Sequence, residues 1–523
     1  MKIIIFLLIG LALPISLYGQ FYSASSFLLQ SGVVHGTERE RHFSMRLQAL
    51  GTDFSGYVVD QITDLYRNPA FFHRLERPLL FGELVRQQQI YRPLPISDPR
   101  AVVISSSIPA SWVGQAKNLG VLLCGNYAKS PSQFGGAGED FDSHFAEIDN
   151  REVRNNWAEA QLVWGFSFRK KFSAGLSYTY GINENRNDRE TTESDYESQS
   201  FSGNTSTTET RQSSLGNNDH VDQSHILRFG LLWNGARGTS WDAVATLERF
   251  AANPKQVSQT LKNQRETASS PYEVLETVNQ YEASQTAKLM ATNVRLDFRY
   301  LNAANPTRTF VAQLGLGVAF FSSTDADDRL SYSRRYSATS SNTSELVSTQ
   351  RLKQDATPDG FGLQVKGGLG WTFQRNNFLI AVAALGSYRR LKYDDTAREE
   401  YTVQYADGFS YTSPGRSYPY DYAFPQYRLA LPLGAECQVT PKLHLRAGWV
   451  AEFRGTMYEA SVREMDGESS IEETSRFSSH RLNFSTVTFG MGYQIFDRLR
   501  ADLLNFGNLS QPKDWNLAVI YNF

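Results

Sequence analysis

Apolar and polar residues alternate with a period of two through most of the chain, and this pattern constrains the fold more than any other feature. Between Phe361 and Phe373, large apolar residues occupy every second position except 367, and glycine, glutamine, lysine or threonine stands between them. The stretch from Trp515 to Phe523 alternates in the same way. Because successive side chains of a β-strand point to opposite faces, the pattern predicts strands with one apolar face and one small or polar face. The chain is therefore predicted to be all-β.

The connections between these strands sort into two classes. Brief turns lie near residues 169–171, 235–240, 302–308, 374–377, 440–442 and 496–498. Long stretches rich in Ser, Thr, Asn, Asp and Glu cover residues 183–222, 252–286, 322–360, 394–424 and 458–479. Outer-membrane barrels have short turns on one side of the membrane and long loops on the other, whereas a soluble β-sandwich has no reason to sort its connections. The sorting predicts a transmembrane antiparallel β-barrel, with the long stretches as solvated loops.

Composition agrees with a barrel and excludes several other classes. A mean hydropathy of −0.40 excludes a bundle of membrane helices, yet it is compatible with strands whose apolar residues alternate with polar ones. The 52 basic and 54 acidic residues nearly balance, which argues against binding nucleic acid mainly through phosphate neutralisation. Two cysteines exclude a disulfide scaffold and a multi-thiolate zinc site.

Strand counting from residue 118 onward predicts about fourteen strands, an even number as barrels require. Two short apolar stretches before them, 79–84 and 101–108, would form a further hairpin and raise the count to about sixteen. The last strand ends on the aromatic residue Phe523. A terminal aromatic residue resembles the sorting signal that the barrel-assembly machinery recognises, so this machinery is an expected partner.

The N-terminus has the features of an export signal. Lys2 precedes an apolar run from Ile3 to Pro14, and Gly19 supplies a small residue for cleavage. We predict a signal peptide over residues 1–19, a plug or hatch over 20–98 and a barrel over 99–523. The predicted location is the bacterial outer membrane, in contact with its lipid.

If the large apolar side chains face lipid, charged residues of the opposite parity must face the lumen. Charges there pair with each other or meet water, because hydrocarbon offers neither. The arrangement fits a polar channel and, equally, a structural network of ion pairs that holds an inserted plug. The predicted lumenal charges include Glu159, Arg228, Asp242, Glu248, Arg295, Asp297, Arg299, Lys366, Arg428, Glu436, Arg446, Glu452 and Arg454.

The region before the barrel carries a recognisable segment. An Ala-Leu-Gly element at residues 49–51, a short acidic stretch and then Tyr66-Arg67-Asn68-Pro69-Ala70 follow one another. This order resembles the N-terminal hatch of the FadL/OmpP1/TodX-type transporters, although Phe71 stands where that family usually has glycine. The resemblance implies a fourteen-stranded outer-membrane barrel plugged by its N-terminus, which passively carries hydrophobic compounds such as long-chain fatty acids. It makes Asn68, Pro69, Ala70, Phe71 and Phe72 the expected plug and ligand-binding residues.

Enzyme chemistry finds little support in the sequence. None of the eight histidines has helical metal-ligand spacing or lies in a Gly-x-Ser-x-Gly context, and no phosphate-binding glycine loop is present. We therefore predict no catalytic residue, metal or cofactor. Two alternatives to a transporter remain. An accessory barrel that works with another envelope complex would have a lumen sealed by ion pairs. A barrel hydrolase would need Ser, His and a carboxylate together at the lipid boundary.

Overall fold

The structure is a computed structural model, and it describes most of the chain from residue 44 onward. The described ranges are 44–51, 53–74, 79–87, 105–107, 110–116, 119–140, 143–168, 171–201, 204–236, 238–269, 272–305, 307–339, 343–405, 409–412, 416–466, 469–506 and 515–522. The predicted signal peptide and Phe523 lie outside these residues.

Residues 44–74, which we call the N-terminal segment, contain the helices of the described chain. These are α1 (Met45–Leu50), α2 (Gln61–Arg67) and a 3-10 helix (Pro69–Arg74). Asp60 begins α2 as its N-cap, because its carboxylate accepts a hydrogen bond from the Thr63 amide at 3.0 Å. None of the described helices has the length and apolar composition needed to span a membrane.

The rest of the described chain is a single sheet. Its strands are β1 (Leu79–Gln87), β2 (Ser105–Ser107), β3 (Ala110–Ala116), β4 (Leu119–Asp140), β5 (Ser143–Phe168), β6 (Phe172–Phe201), β7 (Asn204–Asn234), β8 (Thr239–Ser269), β9 (Tyr272–Asn305), β10 (Arg308–Thr339), β11 (Thr343–Ala356), β12 (Asp359–Arg375), β13 (Phe378–Tyr405), β14 (Ser410–Thr412), β15 (Arg416–Thr440), β16 (Leu443–Asp466), β17 (Ser469–Phe496), β18 (Leu499–Phe506) and β19 (Trp515–Asn522).

The strands pair antiparallel, mostly with their neighbours in sequence, which confirms the prediction of an all-β antiparallel fold. At the beginning of the sheet, β1 pairs with β3, and it also pairs with the last strand, β19, from Leu79↔Asn522 to Leu84↔Leu517. The short strands β2, β11 and β14 attach to the ends of longer ones.

The prediction of long polar loops is wrong, because most of those residues form extensions of the hairpins. Strands β6 and β7 stay paired from Phe172↔Trp233 to Phe201↔Asn204, so they include the whole stretch 183–222. Thr191 and Ser214 hydrogen-bond across this hairpin. The alternation of apolar and polar residues does not mark strands in this stretch, because neither face of the extension is apolar. Strand-favouring threonines and cross-strand polar pairs are the signal that remains.

The two faces of the sheet differ as the alternation predicts. On β12, Leu363 is 45% exposed and Trp371 39% exposed, whereas Gly362 and Gly370 between and beside them are buried. We call the face that contacts the N-terminal segment the inner face and the other the outer face. Large apolar side chains therefore line the outer face, and small or polar ones line the inner face.

Candidate functional site

The N-terminal segment lies directly against glycines of the inner face. A Cβ atom on Gly175 would lie 2.3 Å from the carbonyl carbon of Pro69, and one on Gly448 would lie 2.3 Å from that of Leu50. Both distances are far below van der Waals contact, so a side chain at either position would push the segment away. Small residues in β6 and β16 thus allow backbone to approach backbone.

Apolar residues of the segment are buried between it and the sheet. The largest of them, Phe54, has no exposed surface, and Leu47 and Leu50 are also almost fully buried. Burying a large apolar side chain contributes about 1.5–3 kcal/mol, so this contact holds the segment in place without any charge. The cluster consists of Leu47, Leu50, Phe54, Tyr57 and Val58 of the segment with Val311, Ala381 and Ala383 of the sheet.

The predicted Asn-Pro-Ala motif is packed against the sheet. Asn68 is fully buried; its Oδ1 accepts a hydrogen bond from the Ala70 amide at 2.9 Å, and its Nδ2 donates to the Leu231 carbonyl at 3.3 Å. Asn68 therefore both starts the 3-10 helix at Pro69 and attaches it to β7. The sequence identified the turn, but the contact with β7 needed the folded chain.

The two phenylalanines after the motif occupy different environments. Phe72 is 3% exposed, whereas Phe71 is half-buried with its ring centre 5.3 Å from Cζ of Arg299. Neither residue lines the cavity described below. In the described structure, Phe71 and Phe72 instead help to pack the N-terminal segment against neighbouring residues.

A buried charge cluster joins α2 to strands β8 and β9. Arg299 donates to Asp64 at 2.7 Å and to Asp242 at 2.5 Å, and its side chain is 3% exposed. Arg67 reaches the other oxygen of Asp242 at 2.7 Å. Two arginines and two carboxylates thus compensate one another, and all of them except Arg67 are almost fully buried, where an unpaired charge would be costly.

A second set of ion pairs joins the beginning of the segment to β15 and β16. Arg428 binds Asp53 at 2.6 Å and Glu452 at 2.6 Å. Arg46 of α1 binds Glu436 at 2.8 Å. The segment is therefore held through charges at both its ends.

The same network continues along the sheet toward its last strands. Arg446 is almost fully buried and contacts Glu436 at 3.3 Å and Asp502 of β18 at 2.7 Å. Arg454, by contrast, has a side chain that is two-thirds exposed and is bonded to Glu452.

Four of the predicted lumenal charges, Asp242, Arg299, Arg428 and Glu436, have charged partners that the sequence did not identify. Asp53, Asp64, Arg46 and Arg67 all belong to the N-terminal segment, and each pairs with a predicted lumenal charge. The only available signal was that residues 44–74 carry charges among apolar residues, which does not assign a partner.

A cavity of about 800 Å³ lies beside the segment on the inner face. Asp53, Tyr57, Tyr66 and Arg67 of the segment form part of its boundary, and the sheet forms the rest. We call this cavity the chamber. Its charged lining consists of Arg67, Arg228, Arg295, Lys366, Arg389, Arg428 and Arg454 together with Asp53, Glu159, Asp222 and Asp297.

The chamber lining combines charged and apolar groups. Among its residues, seven side chains are cationic and four are carboxylates, and apolar residues such as Phe250, Phe298 and Leu385 stand between them. Within the described residues there is no group of three or more His, Cys, Asp or Glu side chains placed to hold a metal ion. The arrangement can bind or conduct charged and hydrogen-bonding solutes.

Comparisons with known proteins give weak similarities. No protein-family model matches the chain, and no curated protein matches it. Among solved structures, a FadL homologue of Pseudomonas aeruginosa has a TM-score of 0.30 and 11% identity, over 90% of this chain and 96% of that one. The outer membrane transporter YddB of Escherichia coli has a TM-score of 0.28 and 9% identity, over 86% of this chain and 81% of that one.

The ferric enterobactin receptor PfeA of Pseudomonas aeruginosa, in a mutant form, has a TM-score of 0.27 and 9% identity, over 86% of this chain and 80% of that one. Superpositions this poor carry no argument about architecture or function. The proposals below therefore rest on the contacts within this chain.

Proposed function

We propose that the sheet closes into a transmembrane barrel of sixteen strands with the N-terminal segment as its plug. Strand pairing supports closure, since β1 pairs with both β3 and β19. Each of the sixteen strands other than β2, β11 and β14 thus has two neighbours among these sixteen. The segment also touches strands from β5 to β18, which fits a plug surrounded by a wall. The plug in this proposal comes from the predicted region 20–98, but β1 (Leu79–Gln87) of that region joins the barrel formed by residues 99–523.

The outer face supports a position in the outer membrane. Exposed apolar residues follow one another on β12 from Phe361 to Phe373, a length close to the tilted span of about 9–11 residues that crosses a bilayer. The rings of Trp164, Phe166 and Phe168 contact one another in tilted and edge-on arrangements near a short turn, where an interfacial aromatic girdle is expected. The charged residues described above lie on the opposite face, away from lipid.

We further propose that this barrel passively transports solutes across the outer membrane. The single observation that carries this proposal is the chamber, which a purely structural barrel does not need. In this proposal the N-terminal segment separates the chamber from the side of the barrel that carries the short turns. Displacement of the segment would therefore connect the chamber with that side. The expected substrate class of hydrophobic compounds, including long-chain fatty acids, stays a prediction, and the charged lining favours polar solutes over it.

A second candidate is an accessory barrel without transport of its own. The buried ion pairs around Arg299 and Arg446 favour it, because they hold the segment firmly against the sheet. Transport requires the segment to move, whereas an accessory role does not. The two candidates therefore differ in whether the N-terminal segment must move away from the sheet, and this can be measured.

Locking the segment to the sheet tests the difference. The Cβ position of Gly370 on β12 lies 3.2 Å from Cβ of Tyr57, slightly below the separation of about 3.5–4.5 Å in disulfides. The other atoms nearest to this position belong to the Tyr57 ring, which a cysteine at residue 57 removes. We would introduce Tyr57→Cys and Gly370→Cys into a protein whose Cys124 and Cys437 are serine. Swelling of proteoliposomes in small sugars would then be measured with the bond oxidised and reduced.

If the barrel transports by moving its plug, swelling occurs with the reduced protein and stops when the disulfide forms. Absence of swelling in both the wild-type protein and the reduced variant would favour the accessory barrel. Swelling that is unchanged by oxidation would refute the plug as the gate. The serine background without the two new cysteines is the control for effects of the oxidant.

A further inference from the structure

Cationic side chains concentrate on one part of the chamber lining. Arg295 of β9, Gly317 of β10, Gln364 of β12 and Arg389 of β13 occupy one row of paired residues across four adjacent strands. Pairing partners lie side by side on the same face of a sheet, so these four residues share the inner face.

The neighbouring row begins with Asp297 on β9 and continues through Gly315 to Lys366 on β12. Lys366 and Asp297 lean over Gly315, because a Cβ atom there would lie 2.7 Å from atoms of both side chains. We call Arg295, Lys366 and Arg389 the cationic face.

The three side chains of the cationic face contact polar groups on the neighbouring strands. Asp297 lies 2.5 Å from Arg295 and 3.3 Å from Lys366, so two cations share it. Arg389 has its Nε and Nη2 3.1 Å from the Gln364 side-chain amide, oriented with its oxygen toward the guanidinium. The lining carboxylates Glu159 and Asp222 belong to β5 and β7, outside these rows.

The two glycines of β10 make room for side chains of the cationic face. Gly315 and Gly317 place no side chain of their own between β9 and β12, and the Lys366 and Asp297 side chains occupy the space over Gly315. Arg295, Lys366 and Arg389 all line the chamber, where a solute can reach them. The rest of the lining includes hydrogen-bonding residues such as Asn183 and Thr456 and apolar residues such as Phe250 and Leu385.

We propose that the chamber binds a water-soluble anion, with carboxylate, sulfonate or phosphate groups, on the cationic face. Arginine and lysine form charge-assisted hydrogen bonds with such groups, and a partly enclosed site strengthens them relative to bulk water. This anion site would define the substrate class of the proposed transport. To that extent, the anion proposal rests on the proposed function.

Binding of the trisulfonated dye pyranine to the detergent-purified full chain tests the proposal. The dissociation constant would be measured by fluorescence at low salt for the wild-type protein and for the Lys366→Gln/Arg389→Gln double variant. We expect the double variant to bind at least about tenfold more weakly, because it loses two charged donors. Added salt should weaken wild-type binding, since it screens charges in a solvent-filled site.

Arg351→Gln is the matched control. Arg351 is half-exposed on β11, pairs with Asp328 and does not line the chamber, so its loss should change binding by less than about twofold. Lys366→Arg keeps the charge and should retain binding, which guards against a folding defect in the double variant. Equal binding by the double variant and the wild type, or no binding by the wild type at low salt, would overturn the proposal.

The outcome for the anion site is separable from that for transport. Dye binding in detergent requires no passage through the barrel, and proteoliposome swelling requires no anion. Binding without swelling would support the anion site and refute transport. Swelling without binding would refute only the anion site.

Discussion

The long strands carry ion pairs at both ends, but the two sets lie in different surroundings. Arg299 and Asp242, near the short turns, are 2.5 Å apart with side chains 3% and 4% exposed. Arg351 and Asp328, in the extended hairpins, are also 2.5 Å apart, with side chains 50% and 42% exposed. The nitrogen–oxygen distance is the same in the two pairs, so burial determines how much each pair contributes to the free energy of unfolding. The buried pair attaches the N-terminal segment to the sheet, and water screens the exposed one.

Removing the arginine of each pair should give the largest contrast. Arg299→Met leaves Asp64 and Asp242 buried beside one another and should lower the free energy of unfolding by about 3–5 kcal/mol. Arg351→Met should lower it by about 0–1 kcal/mol. Urea unfolding in lipid vesicles, followed by tryptophan fluorescence, measures both. Similar losses for the two variants would contradict the comparison.

The glycine contacts offer a test that involves no charge. Gly448→Val introduces a side chain against the backbone of Leu50 and should cost about 1–3 kcal/mol, because the packed interface has no room for it. Gly386→Val is the matched control, since a Cβ atom at Gly386 meets nothing within 4 Å. The same unfolding measurement applies, and an equal loss in both variants would show that the segment does not press on Gly448.

The cap of α2 should have a smaller effect on the segment. Asp60 accepts hydrogen bonds from the Thr63 amide at 3.0 Å and from Oγ of Ser44 at 2.9 Å. Asp60→Ala should cost about 0.5–2 kcal/mol, and Asp60→Asn should restore most of it because asparagine also caps helices. Protease cleavage within residues 44–74 should become faster only in the alanine variant. Equal cleavage of the two variants would argue against a capping role.

The smallest expected effect is a pH dependence of the extended hairpins. Asp394 of β13 stands opposite Asp421 of β15, and the hydrogen bond between the two carboxyl groups raises the pKa of Asp394 above its usual range. A raised pKa in the folded chain means that this contribution to stability is present at low pH and is lost as the pH rises through the raised value. Both side chains are exposed, so the change in stability is small.

Carboxyl titration followed by NMR would measure this shift. In Asp421→Asn, the amide donates to the ionised Asp394 and should return its pKa to the usual range or below. An unchanged pKa of Asp394 in this variant would contradict the pairing.

The sequence predicted the faces of the strands better than their ends or their contacts. Leu363 and Trp371 could be assigned to the outer face because alternation depends only on neighbouring residues. The extension of β6 and β7 to Phe201 and Asn204 was missed, because a strand with water on both faces has no apolar pattern. Apolar periodicity therefore marks only the part of a hairpin whose outer face is apolar.

For the site, parity placed Arg299 and Glu436 on the polar face of their strands but could not name their partners. Asp64 and Arg46 lie 235 and 390 positions away along the chain, and no local pattern connects them. Arg389 and Gln364 were also missed as chamber residues, since their positions depend on strand register. The predicted assignment of Asn68, Pro69, Ala70, Phe71 and Phe72 to a ligand site stays untested.

The hydrogen bond from Oγ1 of Thr488 to the Ala49 carbonyl has a consequence for how the molecule is assembled. Ala49 is synthesised early and Thr488 late, and they are 439 positions apart. The hairpins can form one after another from local contacts, but the N-terminal segment cannot complete its contacts until the last ones exist. Completion of its docking is therefore a late event in maturation, and a chain interrupted before β17 would lack part of the surface that binds the segment.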